Sequence, residues 1–180
     1  MIPISKSDLI ACICEGSAEK VIIELLLDRN ALVFSREQLL DGKVLPQKCI
    51  GAKYFTDQFL TMDYGDIKIS VVVMQDRKIP YTIRKPYANK VSNTYLAITA
   101  PEIEMLMIHS LGLYDEYHKQ RKKPSIFLAE KLKTKTPTLK SSKYVRDFFK
   151  RNDLVNAIMM HKEKSQPIRG GYFLADFLRS

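Results

Sequence analysis

Leu9 to Cys14 is an unbroken apolar run that stops at Glu15-Gly16 and passes directly into a helical segment ending at Asp28-Arg29-Asn30. A short run of this kind, apolar at every position, suits a strand buried on both faces, as in a parallel sheet. In the helical segment Val21, Ile22, Leu25 and Leu26 recur at helical spacing, with Ser17 at its start. The strand therefore delivers a carboxylate and a glycine to its own carboxyl end. Open α/β sheets build their sites there.

Two further runs have the same character. Ile67 to Met74 is mostly β-branched, is bounded by Tyr64-Gly65-Asp66 and ends at Gln75-Asp76-Arg77. Tyr95 to Ala100 is the third candidate strand. Between these runs the sequence predicts an extended piece at 31–34, a short helix after Ser35 closed by Asp41-Gly42, and a helix over 51–62. Residues 78–93 read as loop or short helix. Pro101 is expected at the first position of one long helix reaching residue 120, with Glu102 and Glu104 in its first turn and Gly112 tolerated inside it.

Arg121-Lys122-Lys123-Pro124 is the natural boundary. It divides an α/β domain, residues 1–120, from a helical basic extension, residues 121–180, expected to pack on it. Beyond it, helices are expected at 124–133, 141–151 and 152–165. A terminal apolar segment, Tyr172 to Leu178, is expected to dock back on the core. With 180 residues the chain is long enough for a substantial core without metal or disulfide staples.

Cys12, Cys14 and Cys49 make an odd count. Cys12 and Cys14 would share one face of the first strand and read as small buried residues, since no second Cys/His pair stands at zinc-ligand spacing. Reduced thiols suit a cytoplasmic protein. No stretch approaches the roughly 20 apolar residues of a membrane span, and the first residues lack the pattern of a signal peptide. The expectation is a cytoplasmic chain with no membrane partner.

Charge is unevenly spread. Residues 119–180 hold 16 Lys and Arg against 5 Asp and Glu, whereas the first 118 residues are close to neutral with a net charge of −2. A localised positive region is the footprint expected of a polyanion partner, although Lys-rich solvated helix faces also produce it.

The three candidate strands each lead to acids: Glu15 with Glu19 one turn on, Asp76, and Glu102 with Glu104. If the strands are parallel neighbours, these carboxylates converge at one sheet edge. Converging carboxylates suit a hard cation, and Mg²⁺ typically takes one or two of them with waters and substrate phosphates. Each acid also has a plainer role as a helix-dipole residue or turn former.

Glu15-Gly16-Ser17-Ala18-Glu19 after an apolar strand resembles the E-G-x-x-E motif of the Toprim domain. That domain occurs in topoisomerases, DnaG-type primases, OLD-type nucleases and small rRNA-maturation nucleases. Its second motif is an apolar strand ending in D-x-D; here Asp76 matches the first acid and Lys78 stands in place of the second. Thr99 to Leu106 is similar to the N-P-x-F-E-x-W-L-type helix start of RloB-like abortive-infection proteins, with Glu104 as the matching acid. The resemblance spans about residues 8–118. It implies a compact Toprim-like fold with a central, mostly parallel sheet flanked by helices, and cleavage of DNA or RNA with Mg²⁺ or Mn²⁺, in bacterial or phage defence.

In that comparison Glu15 is a metal ligand or general acid/base, Asp76 and Glu104 are metal ligands, and Glu19 is a supporting acid. Lys20, Arg77 and Lys78 are candidates for phosphate, and Arg121, Lys122 and Lys123 for nucleic acid. OLD-type relatives act with an ATPase. This chain has no G-x-x-x-x-G-K-[ST], so any such engine would be a separate partner. Two other readings stay open: a degenerate fold that holds nucleic acid or a partner without cutting, and an enzyme acting on nucleotides or other phosphate compounds.

Overall fold

A computed structural model describes residues 2–179. Three parallel strands form the sheet, β1 (Leu9–Cys14), β2 (Ile69–Gln75) and β3 (Val91–Ile98), in the order β1-β2-β3. In the register Cys14 lies beside Met74 and Gln75 beside Ile98, with an irregularity at Ile69/Ser70. The fold is α/β, with helices flanking the sheet.

β2 is buried along its whole length, which explains why it lacks polar alternation. The pleat divides the strands between two cores. Ile10, Cys12, Cys14, Val72, Met74, Tyr95 and Ala97 face the larger core. Ala11, Ile13, Ile69, Val71 and Val73 face the smaller one, with Leu45, Phe55 and Leu60. Cys12 and Cys14 share a face as expected, and all three cysteines are free and buried.

α1 (Ser17–Asp28) follows β1, and Asn30 closes its end with a φ of 50°. Ser35 starts a single 3-10 turn, its N–H donating to Gln38 Oε1 at 3.1 Å. The helix expected over 51–62 is only one α-helical turn, α2 (Ala52–Phe55), running into a π-helical turn at Thr56–Leu60. Thr56 Oγ1 donates to Ala52 O at 2.7 Å, the kind of side-chain bond that competes with the helical ladder. α3 (Lys85–Ala88) leads into β3.

The long helix expected from Pro101 is not formed. Residues 99–104 are irregular. The helical stretch is divided into α4 (Met105–Ser110) and α5 (Tyr114–His118). Gly112, at a φ of 66°, takes the left-handed conformation that ends α4, and Leu113 N–H bonds back to Ile108 O at 3.0 Å. Glu104 consequently stands at the start of α4 rather than in the first turn of a helix opened by Pro101.

The C-terminal third is helical: α6 (Pro124–Lys131), α7 (Thr136–Leu139), α8 (Ser142–Phe149) and α9 (Leu154–Lys164). α8 packs on α1 and α9 on α4, and Phe127, Val145, Phe149 and Ile158 complete the larger core. Tyr172 bonds both ways with β3, its N–H to Leu96 O and its C=O from Ile98 N–H, each at 2.8 Å. Among the described residues no helix is long and apolar enough to cross a membrane.

Between α4 and α9 lie His109 and His161, both buried, with ring centroids 5.5 Å apart. Burial lowers both imidazoles, His109 to about 4, with His161 and Lys164 adding to the effect on His109. A lowered folded pKa means that the unfolded chain takes up protons first. Stability from His109 is therefore expected to be present above its ordinary value of 6.5 and to fall as the pH drops towards 4. Denaturant titrations of wild type and His109→Phe across this range check it. The variant should lose less stability on acidification.

Candidate functional site

The carboxyl ends of β1 and β2 open into a cleft of about 200 Å³ lined by Glu15, Gly16, Ser17, Ala18, Glu19, Asp76, Ile103, Glu104 and Lys140. Parallel pairing alone brings the first two acids together. Glu15 N–H continues the ladder to Met74 O at 2.9 Å, and Asp76 N–H donates to Glu15 Oε2 at 3.0 Å. Thr99, just past β3, donates from Oγ1 to Asp76 Oδ1 at 2.9 Å. The irregular residues after β3 then fold Glu104 over the same end of the sheet.

Glu104 is 2% exposed, and neither of its carboxylate oxygens has a hydrogen-bond partner. An ionised group so placed is costly unless a cation attends it. The cation nearest to hand is Lys140, whose Nζ is 3.9 Å from Glu104 Oε1 and 3.5 Å from Glu102 Oε1. Glu102 also accepts the Ser125 N–H at 2.9 Å and so caps α6, not the helix that follows it in sequence.

The electrostatics follow from this crowding. Burial pushes the Glu19 carboxyl up to about 7 against the pull of its own backbone amide, and the charges of Asp76, Glu104 and Glu15 add to the rise. Burial likewise raises Glu104 and Asp76; Lys140 opposes both rises, and the Thr99 hydroxyl opposes that of Asp76. Burial disfavours the Lys140 ammonium, yet Glu104, Glu102 and Asp76 hold it above its ordinary value. Burial also disfavours ionised Glu102, but the Ser125 and Lys140 hydrogen bonds keep it below the usual range.

Gly16 is pressed under Glu19. A Cβ at this position would collide with Glu19 Oε2, the free end of a movable side chain, while the Gly16 backbone at φ −131° is open to any residue. Gly16→Ala is therefore expected to fold normally and to swing the Glu19 carboxylate away. A melting curve close to wild type, with about tenfold or more loss of any cleavage activity, is the expected pair of results.

Glu15, Glu19, Asp76 and Glu104 thus line one cleft. The basic candidates do not. Lys20 lies outside the cleft and pairs with Glu24 at 3.9 Å. Lys78 reaches away to donate to Arg169 O at 2.7 Å, and Arg77 is exposed and does not line the cleft. Arg121, Lys122 and Lys123 are exposed beside the start of α6, and Lys122 pairs with Glu130. Lys140 is not marked by the sequence. It sits in a Lys/Thr/Pro/Ser stretch, and no local pattern singles out a residue whose partners lie in another segment. The one hint is the buried Leu139 beside it.

The donor set suits a hard cation: carboxylate oxygens only, two of them buried and unpartnered on Glu104. Among the described residues no three His, Cys, Asp or Glu side chains are grouped to close on one metal ion, so Glu15, Asp76 and Glu104 do not form a ready three-ligand cage. Mg²⁺ ordinarily takes one or two protein carboxylates and completes its shell with water and phosphate. Comparison of the chain with protein-family models, curated proteins and solved structures finds no match.

Proposed function

We propose that the protein is a Toprim-like, metal-dependent nuclease that cleaves phosphodiester bonds in DNA or RNA in the cytoplasm, in bacterial or phage defence, with any ATPase supplied by a separate subunit. The observation that carries the reading is the buried, unpartnered Glu104 carboxylate in one cleft with Glu15, Glu19 and Asp76. One or two of Glu104, Asp76 and Glu15 would hold Mg²⁺ or Mn²⁺, with water and phosphate completing its shell. The bound ion would neutralise phosphate charge and activate water.

The chain's own groups supply the rest. Asp76 N–H and Thr99 Oγ1 fix the Glu15 and Asp76 carboxylates. Glu19, titrating near neutrality, is suited to take or give a proton at its carboxylate. Gly16, without a Cβ, leaves the room in which the Glu19 carboxylate folds back over the turn.

A second reading, a module that holds nucleic acid without cutting it, is favoured by the ammonium of Lys140 already beside Glu104 and by Lys78 in place of the second motif acid. Incubation of labelled single- and double-stranded DNA and RNA with Mg²⁺ or Mn²⁺, wild type beside Glu15→Ala and Asp76→Ala, separates the two. Metal-dependent cleavage lost in both variants is expected of the nuclease; salt-sensitive binding without cleavage would favour the module.

In either case the triple replacement Arg121→Ala, Lys122→Ala, Lys123→Ala is expected to weaken oligonucleotide binding. It should also lower the slope of log K against log salt by about 0.9 for each phosphate of duplex DNA that is no longer neutralised. Unchanged binding would remove these residues from the interface.

A further inference from the structure

We infer that Lys140 is the resident counter-ion of the acidic cleft, its ammonium standing in for a divalent cation and leaving when one enters. The inference rests on the cation-binding reading of the cleft above. Two independent features support it. Glu104 is buried and makes no hydrogen bond, so its charge is met only at a distance, by Lys140 Nζ at 3.9 Å. That separation leaves the carboxylate unsaturated and able to exchange a loosely held ammonium for an ion with direct oxygen bonds.

The backbone of Lys140, by contrast, is anchored. Leu139 beside it is fully buried, and Ser17 Oγ donates to Lys140 O at 3.2 Å from the first residue of α1. The main chain is thus held at the rim while the side chain, 43% exposed, has solvent into which it can withdraw. Lys is suited to this exchange. Its charge sits on a flexible stem, and it lacks the planar fork with which Arg would grip both Glu102 and Glu104. The resting cleft is partly neutralised without metal, and cation entry proceeds by substitution instead of by filling an uncompensated hole.

The test is calorimetric titration of the full chain with Mg²⁺, comparing wild type with Lys140→Met, Lys140→Arg and Glu104→Gln, with melting curves in EDTA and in Mg²⁺. Lys140→Met is expected to bind Mg²⁺ about tenfold more tightly, because a competing charge about 4 Å from the ligand oxygen is gone. It should also melt below wild type in EDTA and gain more from Mg²⁺ than wild type does. Lys140→Arg keeps the charge and is expected to bind no more tightly than wild type, which tests the exchange even if Lys140→Met folds poorly.

If wild type binds Mg²⁺, Glu104→Gln does not, and Lys140→Met binds no better than wild type, the exchange is wrong while the metal reading stands. If Lys140→Met binds Mg²⁺ and wild type does not, the ammonium does not yield to the ion, the exchange is overturned and the wild-type protein is not a metal enzyme. If no form binds Mg²⁺, both ideas fall.

Discussion

Asp76→Asn and Glu104→Gln are each expected to lower Mg²⁺-dependent cleavage of a labelled oligonucleotide by about a hundredfold or more, with the fold intact. The two substitutions keep the volume of the side chain and remove one negative charge. Asp76 is tied to Glu15 through its backbone N–H and to Thr99 through Oδ1, and Asn retains both the N–H and the Oδ1 acceptor. Glu104 makes no hydrogen bond that an amide would break, and Lys140 approaches it only at 3.9 Å. Its loss is therefore a loss of charge alone. Unaltered cleavage in Glu104→Gln would remove this residue from the chemistry and place the reaction elsewhere than in this cleft.

Glu19→Gln is expected to stabilise the metal-free protein at alkaline pH. The Glu19 carboxyl is raised from 4.5 to about 7, so the folded chain keeps its proton over a range where the unfolded chain has lost it. Wild-type stability from this group is then fully present below pH 4.5 and lost as the pH rises through 7. The gain from Gln is near zero below pH 4.5 and reaches about 3 kcal/mol above pH 7. Urea titrations in EDTA at pH 4.5 and pH 8 measure it, and an equal gain at both would mean that the benefit is one of packing and not of charge. Together with the first prediction this sets out a trade: the carboxylates proposed for function are those that burden the resting fold.

The sheet and its first site residues were legible in the chain because both depend on local pattern. Unbroken apolar runs mark strands covered on both faces, and a strand that ends in an acid carries that acid to the sheet's carboxyl edge whatever the rest does. The helix after Pro101 was not legible. Its apolar spacing continues through Gly112, and the break depends on Gly112 adopting a φ of 66° so that α5 can turn away. Lys20 and Lys78 were placed beside the motif by sequence proximity, yet side-chain direction took one to Glu24 and the other to Arg169.

Lys140 shows the same division most clearly. By itself the sequence marked three apolar strand-forming runs, acids at their ends, and a basic, helical final third. Only the tertiary structure decided which of the many basic residues meets the acids, because that choice depends on the packing of α8 on α1, the burial of Leu139 and the bond from Ser17 to the Lys140 carbonyl. Charge is written residue by residue along the chain, whereas the desolvation that gives it consequence exists only where distant segments close over one another.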